Sequence, residues 1–132
     1  MQEQTFRKIC EEYGLIETRV GIGAINGSGD IAYTLPNILF TDCIAVITDD
    51  YNHHPYDKEV KVAERVVYIS QFSRRKGFEH IPLRCHGLEV VDDIFALRTK
   101  IERLIQEYKG FIKKIKAMEI QNKMELVDGM TM

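Results

Sequence analysis

The side chains best suited to bind a ligand form a basic turn of Arg74, Arg75 and Lys76. Aromatic residues stand on both sides of this turn, at Tyr68 and Phe78. Cationic donors beside aromatic rings are the combination that proteins use to hold phosphates and to stack bases. The turn therefore predicts a site for an anionic ligand, and the alternative is a turn whose charges are only solvated.

A second group of side chains has the chemistry of metal ligands. His53 and His54 lie in a polar stretch with several aspartates, and His80, Cys85 and His86 follow later in the chain. Imidazole, thiolate and carboxylate groups bind zinc, which would support a metal-dependent hydrolase. The spacing lacks the CxxC or HExxH arrangement that directs two ligands at one ion. We therefore expect a solvated loop with no metal, no cofactor and no catalytic histidine.

The cysteines argue against a disulfide-bonded secreted protein, and the apolar runs argue against a membrane protein. The chain has 132 residues, a formal net charge of -2 and three cysteines, at Cys10, Cys43 and Cys85. An odd number of widely spaced cysteines without a signal peptide predicts reduced thiols in the cytoplasm. Cys43 lies in an apolar run and is expected in the core, and nothing beside Cys85 except His86 suggests a nucleophile. No apolar run approaches the roughly 20 residues of a membrane span, so we expect no membrane partner.

Sequence periodicity predicts a short helix followed by a β-hairpin in the first half of the chain. Apolar residues at helical spacing over residues 2–13, followed by Gly14, indicate an amphipathic helix with a left-handed cap. Alternation over residues 20–24 and 31–35, around a turn rich in Asn and Gly, indicates a hairpin. The glycines of this hairpin do not lie between a strand and a helix, as a phosphate-binding loop requires.

Further strands are predicted in the middle of the chain. The continuous apolar run 43–47 is typical of a central strand that is buried on both faces. Residues 60–69 fit a strand or a helical face, and their β-branched and aromatic content favours the strand. A short strand is expected over residues 78–83, and Gly87 is expected to mark the boundary before a long helix. The predicted fold class is α+β, with a small, mainly antiparallel sheet, a short N-terminal helix and a long C-terminal coiled-coil helix.

The long helix carries an unbroken heptad pattern. Apolar residues recur at alternating steps of four and three, which is the spacing of a coiled coil. They are Val90, Ile94, Leu97, Ile101, Leu104, Tyr108, Phe111, Ile115 and Met118. We therefore predict an α+β domain over residues 1–87, an oligomerising helix over 88–126 and a tail over 127–132. The alternative is a helix packed on its own sheet.

The predicted partner of this helix is another copy of the chain, as a dimer or a trimer. An interface between subunits could also hold an anion near Arg98 and Arg103 of the helix, or near the basic turn. The exposed lysines of the helix are typical of a solvated face. A non-enzymatic homo-oligomeric binding or assembly protein is therefore the first hypothesis, with a small anion or nucleic acid as its ligand.

One stretch of the sequence resembles a known family. Ile81-Pro82-Leu83, followed by residues 88–94 and 100–104, is similar to the junction between a target-recognition domain and the coiled coil in specificity subunits of type I restriction enzymes. The family's Pro-Pro is replaced by Arg84-Cys85 here. The resemblance covers about a third of the chain and implies a DNA-recognition module with a coiled-coil spacer.

Overall fold

The computed structural model describes residues 1–18, 31–36, 43–49, 58–68 and 83–130, with the side chains of the last helix described up to residue 117. Five strands form one sheet in the order β1-β2-β3-β4-β5, and each neighbouring pair is antiparallel. This arrangement confirms the predicted α+β class. The elements are α1 (Glu3–Glu12), β1 (Ile16–Thr18), β2 (Ile31–Thr34), β3 (Ala45–Asp49), β4 (Lys58–Tyr68), β5 (Leu83–Val91) and α2 (Ile94–Met130).

The N-terminal helix forms where the periodicity predicts it. Phe6, Ile9 and Cys10 of α1 are buried in the core, because their spacing places them on one side of the helix. Gly14 follows the helix with a φ of 76°, a conformation that glycine adopts without a steric penalty. The Gly14 N–H donates to the Glu11 carbonyl at 3.0 Å, so the chain turns there towards β1.

The centre of the sheet is buried on both faces. Ala45, Val46 and Ile47 of β3 are all inaccessible or nearly so, which confirms the prediction of a central strand. β2 forms within the predicted strand over residues 31–35, and Ala32 and Thr34 are buried as well as Ile31 and Tyr33, so both faces of the strand are covered. β1 pairs with β2, whereas residues 20–24 and the predicted hairpin turn lie outside the described residues.

The boundary between strand and long helix differs from the prediction. Residues 58–68 form a strand, as favoured, but the next strand continues to Val91, where Val91 pairs with Val60. Gly87, with a φ of 71°, therefore lies inside β5 and does not release the chain into the helix. The helix begins at Ile94, preceded by Asp93, whose Oδ1 accepts the Ala96 N–H at 2.8 Å as a helix cap.

The apolar stripe of α2 packs on the chain's own sheet. Leu97, Ile101 and Leu104 are fully buried, and Ile115 is nearly so. Lys100 of the helix also pairs with Glu89 of β5. From Leu97 to Ile115 the structure therefore shows the alternative arrangement, a helix packed on its own sheet. Pairing of α2 with a second copy stays a prediction. In the described part of the chain no helix is apolar enough over a sufficient length to cross a membrane.

We predict that Leu104→Ala lowers the free energy of unfolding by about 2–5 kcal/mol, because it removes a fully buried side chain and leaves a cavity. Urea unfolding of both proteins measures the difference. Thr99→Ala is the matched control, since Thr99 is exposed on the same helix and the substitution should change the free energy of unfolding by about 0.5 kcal/mol at most. Equal effects of the two substitutions would contradict the packing of this stripe.

Candidate anion-binding groove

Among the described residues, two strands extend beyond the rest of the sheet and form what we call the ribbon, residues 63–68 of β4 and 83–88 of β5. Regular pairing of β3 with β4 ends at Ala45 and Val62, whereas β4 and β5 pair on to Tyr68 and Leu83. Because side chains alternate across a strand, the ribbon has two different faces. One face carries Val66, paired with Cys85, and packs towards α2.

The other face of the ribbon carries cationic side chains. Arg65 lies directly across from His86, and Val67 lies across from Arg84. Arg65, Arg84 and His86 are all exposed. Three imidazole or guanidinium groups thus stand together on one side of a two-stranded element.

Two side chains of α2 bind the backbone of the ribbon. Glu107 Oε2 accepts the Val66 N–H at 3.0 Å, and Arg103 Nη2 donates to the Glu64 carbonyl at 2.6 Å. Charge-assisted hydrogen bonds of this kind are stronger than those between neutral groups. The ring of Phe111 contacts the ring of Tyr68 edge-on, with centroids 5.5 Å apart. Together these contacts hold the helix along the ribbon.

A shallow groove of about 520 Å³ lies between the ribbon and α2. The two cations on its walls come from opposite sides, Arg65 from β4 and Lys114 from α2. Gly110 opens the groove, because a side chain at this position would meet no atom within 4 Å. The complete lining consists of Arg65, Val66, Val67, Glu107, Gly110, Phe111 and Lys114.

The neighbouring surface of α2 is also positively charged. Between Tyr108 and Ala117 the chain has four lysines and no carboxylate, although its overall formal charge is -2. Lys109, Lys113 and Lys116 line a second depression of about 450 Å³ on the opposite flank of α2 from the groove. The Tyr108 hydroxyl donates to the Pro36 carbonyl at 2.9 Å, which fixes this side of the helix against the end of β2.

The two arginines that the sequence suggested for a subunit interface have partners within the chain. Arg98 forms an ion pair with Glu12 at 3.0 Å, and its guanidinium carbon lies 6.0 Å from the centroid of the Tyr13 ring. Arg103 binds the Glu64 carbonyl. Both side chains therefore join elements of one molecule, and anion binding at Arg98 and Arg103 stays a prediction.

A hydrogen bond adds to this link between the helices. The Tyr13 hydroxyl donates to Glu102 Oε1 at 2.5 Å, and this bond to a carboxylate raises the pKa of Tyr13. The phenol is accordingly protonated at neutral pH, as a donor must be. The ion pair and the hydrogen bond fix α1 to the start of α2, N-terminal to the groove-lining residues Glu107, Gly110, Phe111 and Lys114.

Most of the other predicted site residues lie outside the part of the chain that the structure describes. Arg74, Arg75, Lys76, His53, His54 and His80 lie outside the described residues. Cys85 and His86 are adjacent in β5, so their side chains point to opposite faces and cannot share one ion. Among residues 1–18, 31–36, 43–49, 58–68 and 83–117, no three potential metal ligands lie together.

The buried thiol of α1 is unsuited to nucleophilic chemistry. Burial raises the pKa of Cys10 to about 12, because the apolar core disfavours the charged thiolate. Cys43 and Cys85 are half-buried and form no disulfide. A nucleophilic thiol was considered from the sequence at Cys43 and Cys85, and at Cys85 it stays a hypothesis.

Sequence reasoning missed most of the groove. Arg65 lies in the segment whose structure was ambiguous, and Lys114 was assigned to a solvated face. The available signal was the run of four lysines without a carboxylate, interrupted by a glycine within a helix. Comparison with known protein families, curated proteins and solved structures finds no match to this chain. The resemblance to restriction-enzyme specificity subunits therefore stays an expectation.

We predict that Glu107→Ala abolishes the hydrogen-exchange protection of the Val66 amide, because this N–H then loses its acceptor. The free energy of unfolding should fall by about 1–3 kcal/mol, the cost of an unsatisfied buried donor. Glu107→Gln is the matched control, since its amide oxygen still accepts the bond. Full protection of Val66 in the alanine variant would show that Glu107 is not the acceptor in solution.

Proposed function

We propose that the chain is a non-enzymatic binding protein that holds an anionic ligand in the groove between the ribbon and α2. The observation that carries this proposal is that Arg65 of β4 and Lys114 of α2 line the same groove. Two cations that face a common space attract a ligand whose negative charge lies between them. Glu107 is the one carboxylate of the lining, and one of its oxygens already accepts the Val66 N–H.

The basic turn supports the same proposal through its place in the chain. Tyr68 and Leu83 end the ribbon as a pair, and the segment that connects them contains Arg74, Arg75 and Lys76. The turn is thus joined covalently to the ribbon at the end that carries Arg65. A ligand held in the groove and extending towards this end would meet further cations.

The second part of the proposal is that copies of the chain assemble through the C-terminal helix. Phe95, Ile94 and the neighbouring Val90 are 80%, 45% and 52% exposed, and they form an apolar patch where the helix begins. Ile94 and Val90 are the first heptad positions, which the sheet leaves uncovered. A second copy is the simplest partner for such a patch. Assembly would present several grooves to one ligand and increase its avidity.

We predict that inorganic polyphosphate raises the Tm of the protein, because a ligand that binds only the folded state stabilises it. At ten times the Kd the stabilisation is about 1.4 kcal/mol, or a rise of about 5 °C for a domain of this size. The rise should vanish in Arg65→Gln/Lys114→Gln and in the triple alanine variant of Arg74, Arg75 and Lys76. Lys8→Gln, at an exposed position of α1, is the control that keeps the rise. A rise of the same size in all variants would contradict the proposed site.

A mass measurement in solution tests the assembly. We expect an oligomer for the original chain and a monomer for Phe95→Asp, since a charge within an apolar interface is strongly unfavourable. The Tm of the unassembled fold should change little, because Phe95 is exposed in the single chain. Charges at Ile101 or Leu104 would instead unfold the chain, as both are core residues. A monomeric original chain would exclude assembly, and an oligomeric Phe95→Asp variant would exclude this patch as the interface.

A further inference from the structure

We propose that the anionic ligand of the groove is single-stranded nucleic acid, with phosphates bound by Arg65 and Lys114 and a base placed against Phe111. This inference rests on the proposed anion-binding function and adds the class of ligand. It follows from three features of the described residues: the extent of the positive surface, the apolar floor of the groove and the coverage of the apolar stripe of α2.

The extent of the positive surface favours a polymer over a small anion. The cations include Lys109, Lys113 and Lys116 on one flank of α2 and Lys114 in the groove on the other flank. They continue across β4 with Arg65, whose cross-strand partner is His86. A small anion would be satisfied by two of these groups. A phosphodiester chain carries one negative charge per nucleotide and would use the whole surface.

The floor of the groove favours a ligand with flat apolar parts. Val66, Val67 and Phe111 are the apolar side chains of the groove lining. Phe111 is half-buried, and its contact with Tyr68 fixes the ring in place. A volume of about 520 Å³ lies within the range of small-ligand sites and accommodates a nucleotide. Stacking of bases on aromatic rings within a positively charged groove is the usual way to bind single strands.

The position of the floor argues against a duplex. Phe111 lies between the ribbon and the helix, so a ligand must lower a base into the groove to reach it. The bases of a duplex are stacked inside the double helix and present only their edges. A single strand can turn a base outwards.

Coverage of the apolar stripe of α2 argues against an anionic membrane surface. A helix that lies on a membrane inserts its apolar face between the lipids. In α2 this face, with Leu97, Ile101 and Leu104, is fully buried against the sheet. Between Leu97 and Ile115, the side of α2 that is left for a partner carries the lysines, which suits a soluble polyanion.

Fluorescence anisotropy with a labelled oligothymidylate tests this proposal in the full-length chain. We expect binding whose affinity falls with salt concentration, and Arg65→Gln/Lys114→Gln should weaken it at least tenfold. Loss of two phosphate contacts should also reduce the slope of log affinity against log salt by about 1.4. Lys8→Gln should leave both quantities unchanged.

A variant that fills the groove without changing any charge distinguishes base stacking from electrostatic attraction of the phosphates. Gly110→Leu should fold normally, because a side chain there meets open space and leucine favours a helix more than glycine does. It should weaken oligothymidylate binding about tenfold by excluding the base, and leave polyphosphate binding nearly unchanged. An oligomer of abasic sugar phosphates should bind the original chain as weakly as oligothymidylate binds Gly110→Leu.

The outcomes distinguish the two proposals. Binding of polyphosphate with equal affinity for abasic and thymidine oligomers would overturn nucleic-acid recognition and leave the anion site intact. Tighter binding of a duplex, or of vesicles rich in phosphatidylserine, would also overturn it, in favour of another class of ligand. Absence of binding to any of these polyanions would overturn both proposals.

Discussion

Burial of the α2 stripe against the sheet is the interaction on which the other features of this fold depend. Leu97, Ile101 and Leu104 are each fully buried, and burial of one such side chain stabilises a fold by about 1.5–3 kcal/mol. A two-stranded ribbon is marginal by itself in water, because each strand has a partner on only one side. The ribbon persists beyond the end of regular β3 pairing because α2 lies along it and covers one of its faces.

The same packing determines where charge can be placed. The stripe uses the side of α2 that faces the sheet, so Lys109, Lys113, Lys114 and Lys116 remain exposed to water. On the ribbon, alternation directs Val66 to the helix and Arg65 away from the covered face. The groove arises where these two surfaces meet. Hydrogen bonds from Arg103 and Glu107 to the backbone of β4 fix the position of the helix along the ribbon, and so the relative placement of Arg65 and Lys114.

Local patterns in the sequence predicted the helices and strands better than they predicted how these elements pack together. The helix over residues 2–13, the central strand at 43–47 and the overall α+β class follow from periodicity and are confirmed. The heptad pattern did not identify the partner of α2, because an apolar stripe that can form a coiled coil can equally pack on the face of a sheet. The start of α2 was misplaced because Val90 continues that pattern, although it belongs to β5. The groove could not be predicted, since Arg65 and Lys114 are distant in sequence and meet only through the packing of α2 on β4.

Gly110 links the stability of the fold to the shape of its surface. Glycine within a helix is less favourable than alanine by about 1 kcal/mol, because the unfolded chain loses more conformational freedom on folding. Close packing often explains such a residue, but here the position of a Cβ is free of neighbouring atoms within 4 Å. Its conformation is helical, so no left-handed φ requires glycine either. The structure does show that Gly110 lines the groove, together with the cations Arg65 and Lys114. A residue that lowers the stability of α2 thus lines the groove beside Phe111.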